Sequence, residues 1–449
     1  MSEIEKRRGF HYGFLIVACC CVFSATSVSL AFGCAGVFYT PVSEAIGVSR
    51  GVFVISFTCM SLTAGIGVKI MTPFVEKYSL KLAVIILLLL QSVCYFAQSQ
   101  FTQVWMFYIT GALLGIVVSL TQSIVATVAI NRWFKTSTAF FIGFSSSMAG
   151  VSGVIINPIA GKVMETYGWR AGYIMYGAII LILAVPFAVF VFKDFPADKG
   201  LEPYSGRNKN NENKKDENIK QSDISIEYKD AVRSKAFFAA MGTISCFVCT
   251  CCFVPYVASY ASSLGMSLTF AATLAGMAQI GSLIGKNTIG LAADKNPIFL
   301  VTLGPLVPLL GLLILLISGG RSVPLLVIGI ILVGSIYAAS TVGSPLVVIE
   351  VFGMKNFMKI YGSICVFTSL AGAAISPLMG MVVDLCGGSF TLILAICAAM
   401  CILSIILGLY AFKEGKKMKA AAAKIEYSEL SEKIFLKDIK SKTKMNIHT

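Results

Sequence analysis

An all-α integral membrane protein, with 12 transmembrane helices in two pseudo-symmetric six-helix halves, is the fold this sequence predicts. Three observations predict it. Of 449 residues, 57% are hydrophobic and only 13% are charged, about half the charged share of a soluble domain. The charges are segregated: they crowd the N-terminus, the stretch from Lys193 to Lys235, the chain after Lys413 and a set of short connections. Between them lie apolar runs of roughly 20 residues, the length that crosses a hydrocarbon core. Lipid offers the backbone no hydrogen bonds, so runs of this length are helices.

The runs are placed at 13–38, 51–74, 80–98, 104–128, 138–161, 171–192, 237–261, 267–292, 297–317, 322–347, 360–383 and 389–412. The first follows Lys6-Arg7-Arg8 and imitates a secretory leader, but it is too long for one and eleven more runs follow, so it reads as an uncleaved helix. The first six form an N-terminal half, 1–192. The segment 193–236 is rich in Lys, Asn, Glu and Asp and poor in apolar residues, the composition of a flexible linker. The last six form a C-terminal half, 237–412. A Lys-rich tail, 413–449, includes Ala420 to Ala423 and reads as a solvated terminus or as a helix touching anionic lipid.

The net charge of +14 does not indicate nucleic acid, because its distribution follows the membrane. Lys6, Arg7, Arg8, Lys77, Lys81, Arg132, Lys135, Lys295, Lys355 and Lys359 fall in alternate connections, and the opposite connections hold few cations. This positive-inside pattern puts both termini and the linker in the cytoplasm of a multi-pass protein of the cell membrane. The 14 cysteines lie almost entirely within the runs, where they act as small hydrophobes. With only His11 and His448 to accompany them, no metal site and no cofactor is expected.

The chain is written twice. Gly153, Pro158, Gly161, Glu165 and Gly168 recur as Gly372, Pro377, Gly380, Asp384 and Gly387, at a constant spacing of 219 residues. Glu76-Lys77 after the second run and Asp294-Lys295 after the eighth recur at a spacing of 218, as do Phe134 and Phe352. Repeat-built membrane folds of this kind hold a solute near the midplane, between the halves.

Lys286 is the one cation at depth in a run. A charge there costs about 2.5–3.5 kcal/mol on insertion scales, so an intramembrane lysine is by default a functional residue. It lies eight residues before Asp294, roughly 12 Å in from the helix end at 1.5 Å per residue. Gln279 and Ser282 precede it by seven and four residues on the same helical face, and with Tyr337, the deepest tyrosine, they make up the candidate binding set.

Gly290-Leu-Ala-Ala-Asp294-Lys295 resembles the loop motif between helices 8 and 9 of the major facilitator superfamily. The counterpart at Glu76-Lys77 is degenerate, with Thr72 and Ser79 where glycines are usual. The resemblance implies that Gly290, Asp294, Lys295, Glu76 and Lys77 form a cytoplasmic latch on the outward-open state. Arg132-Trp133-Phe134, then Gly153, Pro158, Gly168, Trp169 and Arg170, with Gly372 and Pro377 in the second half, resemble the monocarboxylate transporters and the oxalate–formate antiporter family. In that group the place of Lys286 carries an arginine that pairs with substrate carboxylate. Two departures follow: Ser282 stands where animal-type monocarboxylate transporters have an aspartate, and the eleventh run has no Lys or Arg between Tyr361 and Asp384, where oxalate carriers have a lysine.

The expectation is a secondary transporter for a small organic anion, in a lipid bilayer, functional as a monomer, and not an enzyme. No Asp or Glu lies at mid-depth, which favours anion exchange. The alternatives are a proton-coupled monocarboxylate symporter and an exporter of hydrophobic solutes.

Overall fold

The computed structural model describes residues 11–77, 79–136, 138–204, 226–295, 298–353 and 356–445. It is all-helical apart from one isolated strand pairing, Phe134 with Tyr204. The long helices are α1 (Gly13–Gly33), α2 (Arg50–Lys77), α3 (Leu80–Gln98), α4 (104–133), α5 (Thr138–Tyr167), α6 (Trp169–Val191), α7 (Lys235–Ser263), α8 (Leu268–Lys295), α9 (Ile298–Ser318), α10 (Val323–Phe352), α11 (Phe357–Leu385) and α12 (Thr391–Met445). Among the described residues, 11 helices are long and apolar enough to cross a membrane. The regular part of α4, Val104–Ser119, is the shorter apolar helix, because wide π-helical turns at Leu120–Val125 interrupt it.

Several helices outrun their apolar stretches. Helix α2 continues to Lys77 and α12 to Met445. Hydropathy detects only the part of a helix that lies in hydrocarbon, whereas backbone hydrogen bonding carries the helix past it. The linker differs from expectation at both ends. The Tyr204 N–H donates to the Trp133 carbonyl at 2.8 Å and the Ile226 N–H to the Phe352 carbonyl at 3.0 Å, so each end is strapped to a helix terminus. Residues 205–225 lie outside the described ones.

Packing repeats at the spacing read from the sequence. Helices α2 and α4 pack as α8 and α10 do, α1 and α5 as α7 and α11, and α5 and α8 as α11 and α2. The close approaches coincide residue by residue. A Cβ on Gly115 would stand 2.2 Å from the Met60 carbonyl oxygen, and one on Gly334 would stand 1.9 Å from that of Ala278. Only glycine lets these backbones approach so closely. Wide turns interrupt α4 at Leu120–Val125 and α10 at Ala339–Gly343, again equivalent places.

Helices α1 and α7 break at equivalent points too, into the tight turns Ala35–Phe38 and Val254–Tyr256. These turns touch: a Cβ on Gly36 would meet the Pro255 carbonyl oxygen at 1.9 Å. One turn on, the Thr40 hydroxyl donates to the Ser259 hydroxyl at 2.8 Å, across 219 residues of sequence.

Two glycines test this packing. Gly334→Val should destabilise the protein by about 1–3 kcal/mol, the cost of overpacking. Gly65→Ala, at a helical site with open space around it, should be neutral or stabilising by about 0.5–1 kcal/mol. Unfolding midpoints of the two purified variants against the parent check both.

Candidate functional site

Helices α1–α6, the first half of the chain, touch α7–α12, the second, along α5–α8 and α11–α2, on the side of the bundle opposite the linker. At the end of α5, the Glu165 carboxylate accepts from both the N–H and the hydroxyl of Thr269, at the start of α8. At the end of α11, the Asp384 carboxylate accepts from the Arg50 N–H at 2.8 Å, at the start of α2. Above these points α5 and α8 stay in contact through Gly161 against the Leu268 carbonyl, Gly276 against the Val154 carbonyl, Gly153 against Gln279 and Gly150 against Leu283. On the other flank, the Thr58 hydroxyl donates to the Ala373 carbonyl at 3.0 Å. Contact then ends. Gly143 on α5, Gly65 on α2 and Gly362 on α11 face open space. The halves therefore enclose a cleft that is closed opposite the linker and open towards it.

Lys286 stands where the cleft opens. Gln279 and Leu283 face α5, and Lys286 continues that face one turn beyond the last α5 contact. It is half-buried. Among the described residues it makes no hydrogen bond and no ion pair, and the Cys251 thiol of α7 is within electrostatic reach. The equivalent place in α2 holds Val68. Of these two matching positions in the sequence, only that of Lys286 is cationic.

The closed end of the cleft is a polar tie around the break in α1. Past Gly33 the helix loses its regular ladder at Cys34 (φ −116°, ψ −2°), which frees carbonyls that lipid cannot satisfy. Side chains answer them. The Asn157 amide donates to the Gly33 carbonyl at 3.3 Å, the Gln279 amide reaches it at 3.5 Å, and the Tyr176 hydroxyl donates to the Cys34 carbonyl at 3.2 Å. Gln279 and Tyr337 line one small cavity with Gly33, Gly36, Val37 and Pro255. The Tyr39 hydroxyl is buried beside Tyr256 and has no hydrogen-bond partner among the described residues.

The structure brings Gln279 and Tyr337 together, with Ser282 buried between Gln279 and Lys286 on the same helix. Lys286 lies outside that cavity, towards the opening. Of the packing residues, Gly153 admits Gln279, Gly372 admits Val248, and Pro158 and Pro377 sit inside α5 and α11. Gly168, at φ 81°, turns α5 into α6, where Trp169 is buried and the Arg170 guanidinium lies 4.3 Å over its ring. The side chains of Glu76, Lys77, Gly290, Asp294 and Lys295 lie outside the described residues. Sequence reading missed the roles of Glu165, Asp384, Arg50 and Thr269, although Glu165 and Asp384 were visible as the acids of the duplicated motif.

The family model of the Major Facilitator Superfamily matches residues 21–321, and that of the MFS_1 like family matches 236–446. Monocarboxylate transporter 12 of Rattus norvegicus is 27% identical over 334 residues, 69% of this chain and 66% of the relative. The chain therefore spans just under two thirds of the length of that relative. Among solved structures, the nucleoside transporter NupG superposes with a TM-score of 0.66 at 12% identity, over 88% of this chain and all of its own. The D-xylose-proton symporter gives 0.63 at 15% identity, over 89% and 96%. At such identities the likeness is one of fold.

A half-buried lysine without a partner among the described residues weakens its own fold, charged or neutral. Lys286→Met keeps the unbranched stem and removes the charge, and should stabilise the protein by about 1–2 kcal/mol, seen as a higher unfolding midpoint. A lower midpoint would identify Lys286 as a structural tie.

Proposed function

This chain belongs to the Major Facilitator Superfamily, and we propose that it carries a small monocarboxylate across the cell membrane by alternating access, with Lys286 meeting the carboxylate. One observation carries the reading: Lys286 stands at the mouth of the inter-half cleft without a partner among the described residues. A lone cation in low dielectric favours an anion that brings the missing charge. One cation suits a monoanion better than a dianion, and a lysine offers a point charge rather than the paired donors of an arginine. Ser282, one turn deeper on α8, is the nearest polar group of the candidate set for the rest of the solute, and Gln279 and Tyr337 lie beyond it at the closed end. Likeness to a monocarboxylate transporter supports the solute class.

Twelve spans in two six-helix halves are part of the same proposal. A residue meets its own counterpart only on a twofold axis, and Gly36 with Pro255 and Thr40 with Ser259 are such pairs. The halves then rock about the contact of α1 with α7. The cations at the linker side make that side cytoplasmic, so the cleft described above faces inward. Gly290, Asp294, Lys295, Glu76 and Lys77 would latch this side when the cleft faces outward.

For the energy source we take cotransport with a proton rather than the anion exchange that the lack of a mid-depth acid favours. A single lysine can serve both cargoes. Carboxylate and proton arrive together as an ammonium–carboxylate pair and leave together, and the empty site crosses uncharged. An exchanger differs in one respect: its empty site would keep the cation and stay locked, so that one anion could only be swapped for another.

Uptake of labelled lactate, pyruvate, formate and oxalate into proteoliposomes tests this. Vesicles empty of anion should take up a monocarboxylate, faster under an inward proton gradient, and oxalate should be taken up poorly. Lys286→Gln should lower uptake at least about tenfold, the loss of one charge-assisted contact, while inserting normally. Uptake that requires internal anion and ignores the gradient would restore exchange. Normal uptake by Lys286→Gln would remove the lysine from the mechanism.

A further inference from the structure

We propose that Glu165 and Asp384 form a paired outer latch, holding the cleft shut on the side opposite the linker until both release. The inference rests on reading the chain as an alternating-access carrier and is independent of its solute. The two acids are the same residue of the duplicated motif, 219 positions apart. Each ends a helix of one half and reaches the first turn of a helix in the other. Glu165 of α5 accepts from the Thr269 N–H at 3.0 Å and from its hydroxyl. Asp384 of α11 accepts from the Arg50 N–H at 2.8 Å.

A helix start leaves its first N–H groups without partners in the helix and carries partial positive charge, so a carboxylate there is held by both effects. In an ordinary helix the cap comes from the residue just before it. Both helices have that cap, Ser49 accepting from the Val52 N–H and Ser267 from the Phe270 N–H, each at 3.3 Å. The acids of the opposite half take one further N–H at each start, and releasing it requires the halves to part. Glycines bring the acids within reach: a Cβ on Gly380 would stand 2.6 Å from the Gly51 nitrogen, and one on Gly161 would stand 3.0 Å from the Leu268 carbonyl oxygen.

The latch is lopsided. The Arg50 guanidinium also faces Asp384 at 3.7 Å and Glu44 at 3.6 Å, which ties the short helix Tyr39–Ile46 and the ends of α2 and α11 together. Glu165 has no such cation among the described residues. The α2–α11 flank is therefore the firmer one. Rocking about the contact of Gly36 with Pro255 and of Thr40 with Ser259 would break both caps together, since each lies at the outer end of its own interface.

Hydrogen–deuterium exchange of the full chain in lipid nanodiscs, without solute, tests the latch. In the double variant Glu165→Gln, Asp384→Asn, peptides over the first turns of α2 and α8 should exchange several-fold faster. Peptides lining the cleft towards the linker, in the first turns of α5 and α11, should exchange more slowly. Opposite signs on the two sides mark a shift between facing states. Asp384→Asn alone should shift further than Glu165→Gln alone, and the single variants stand in if the double fails to fold. No change on either side, or faster exchange on both, would overturn the latch. Because no transport is measured, a failed carboxylate reading would leave this outcome untouched.

Discussion

One lysine at depth, without a partner among the described residues, sets the terms for the rest of this account. A bundle of apolar helices tolerates Lys286 only where solvent or a counter-charge can reach it, and the cleft between the halves is that place. Its counterpart position in α2 carries valine, so duplication alone did not put a charge there. The same reasoning links solute and energy source. If the lysine must not cross the membrane charged and alone, then anion and proton have to travel with it or wait. The proposed cotransport is this electrostatic constraint restated as a cycle.

Around that site the structure solves a backbone problem by means that also serve motion. The break in α1 after Gly33 frees carbonyls at mid-bundle, and Asn157 and Gln279 answer one of them from two different helices. Gln279 belongs to the half opposite Gly33, so this tie crosses the interface that alternating access must loosen. Weak interhelical hydrogen bonds, about 0.6 kcal/mol each on average, suit such a role: they hold a register without locking it. The outer caps at Glu165 and Asp384 add charge at the far end of the lever, where a small rotation of the halves separates them most.

Much of this was legible in the sequence because hydrophobicity and repetition are coarse signals that side-chain detail does not blur. The apolar runs located the helices, and the spacing of 219 residues marked the repeat; that Thr40 meets Ser259 at that same spacing is visible only in three dimensions. Helix ends were not legible, since α2 and α12 run on through charged residues that hydropathy counts as loop. The linker was misread at its ends, because Tyr204 and Ile226 bind through backbone groups that composition cannot register. Helical spacing put Gln279, Ser282 and Lys286 along one helix, α8. It could not tell that Gln279 is taken up by the α1 break while Lys286 is left open. The acids of the duplicated motif were noticed as markers of the repeat, and their partners on the other half became visible only in three dimensions.

The central claim is that a single lysine binds the anion and its proton as one event. Proton uptake on anion binding tests it most directly: purified carrier in weak buffer with a pH indicator, titrated with lactate or pyruvate near neutral pH. The account predicts that binding of a monocarboxylate draws protons from solution, and that a carrier with Lys286→Gln draws none. Binding of the anion without proton uptake by the parent protein would mean that Lys286 is already charged in the empty cleft, and would contradict the coupling proposed for it.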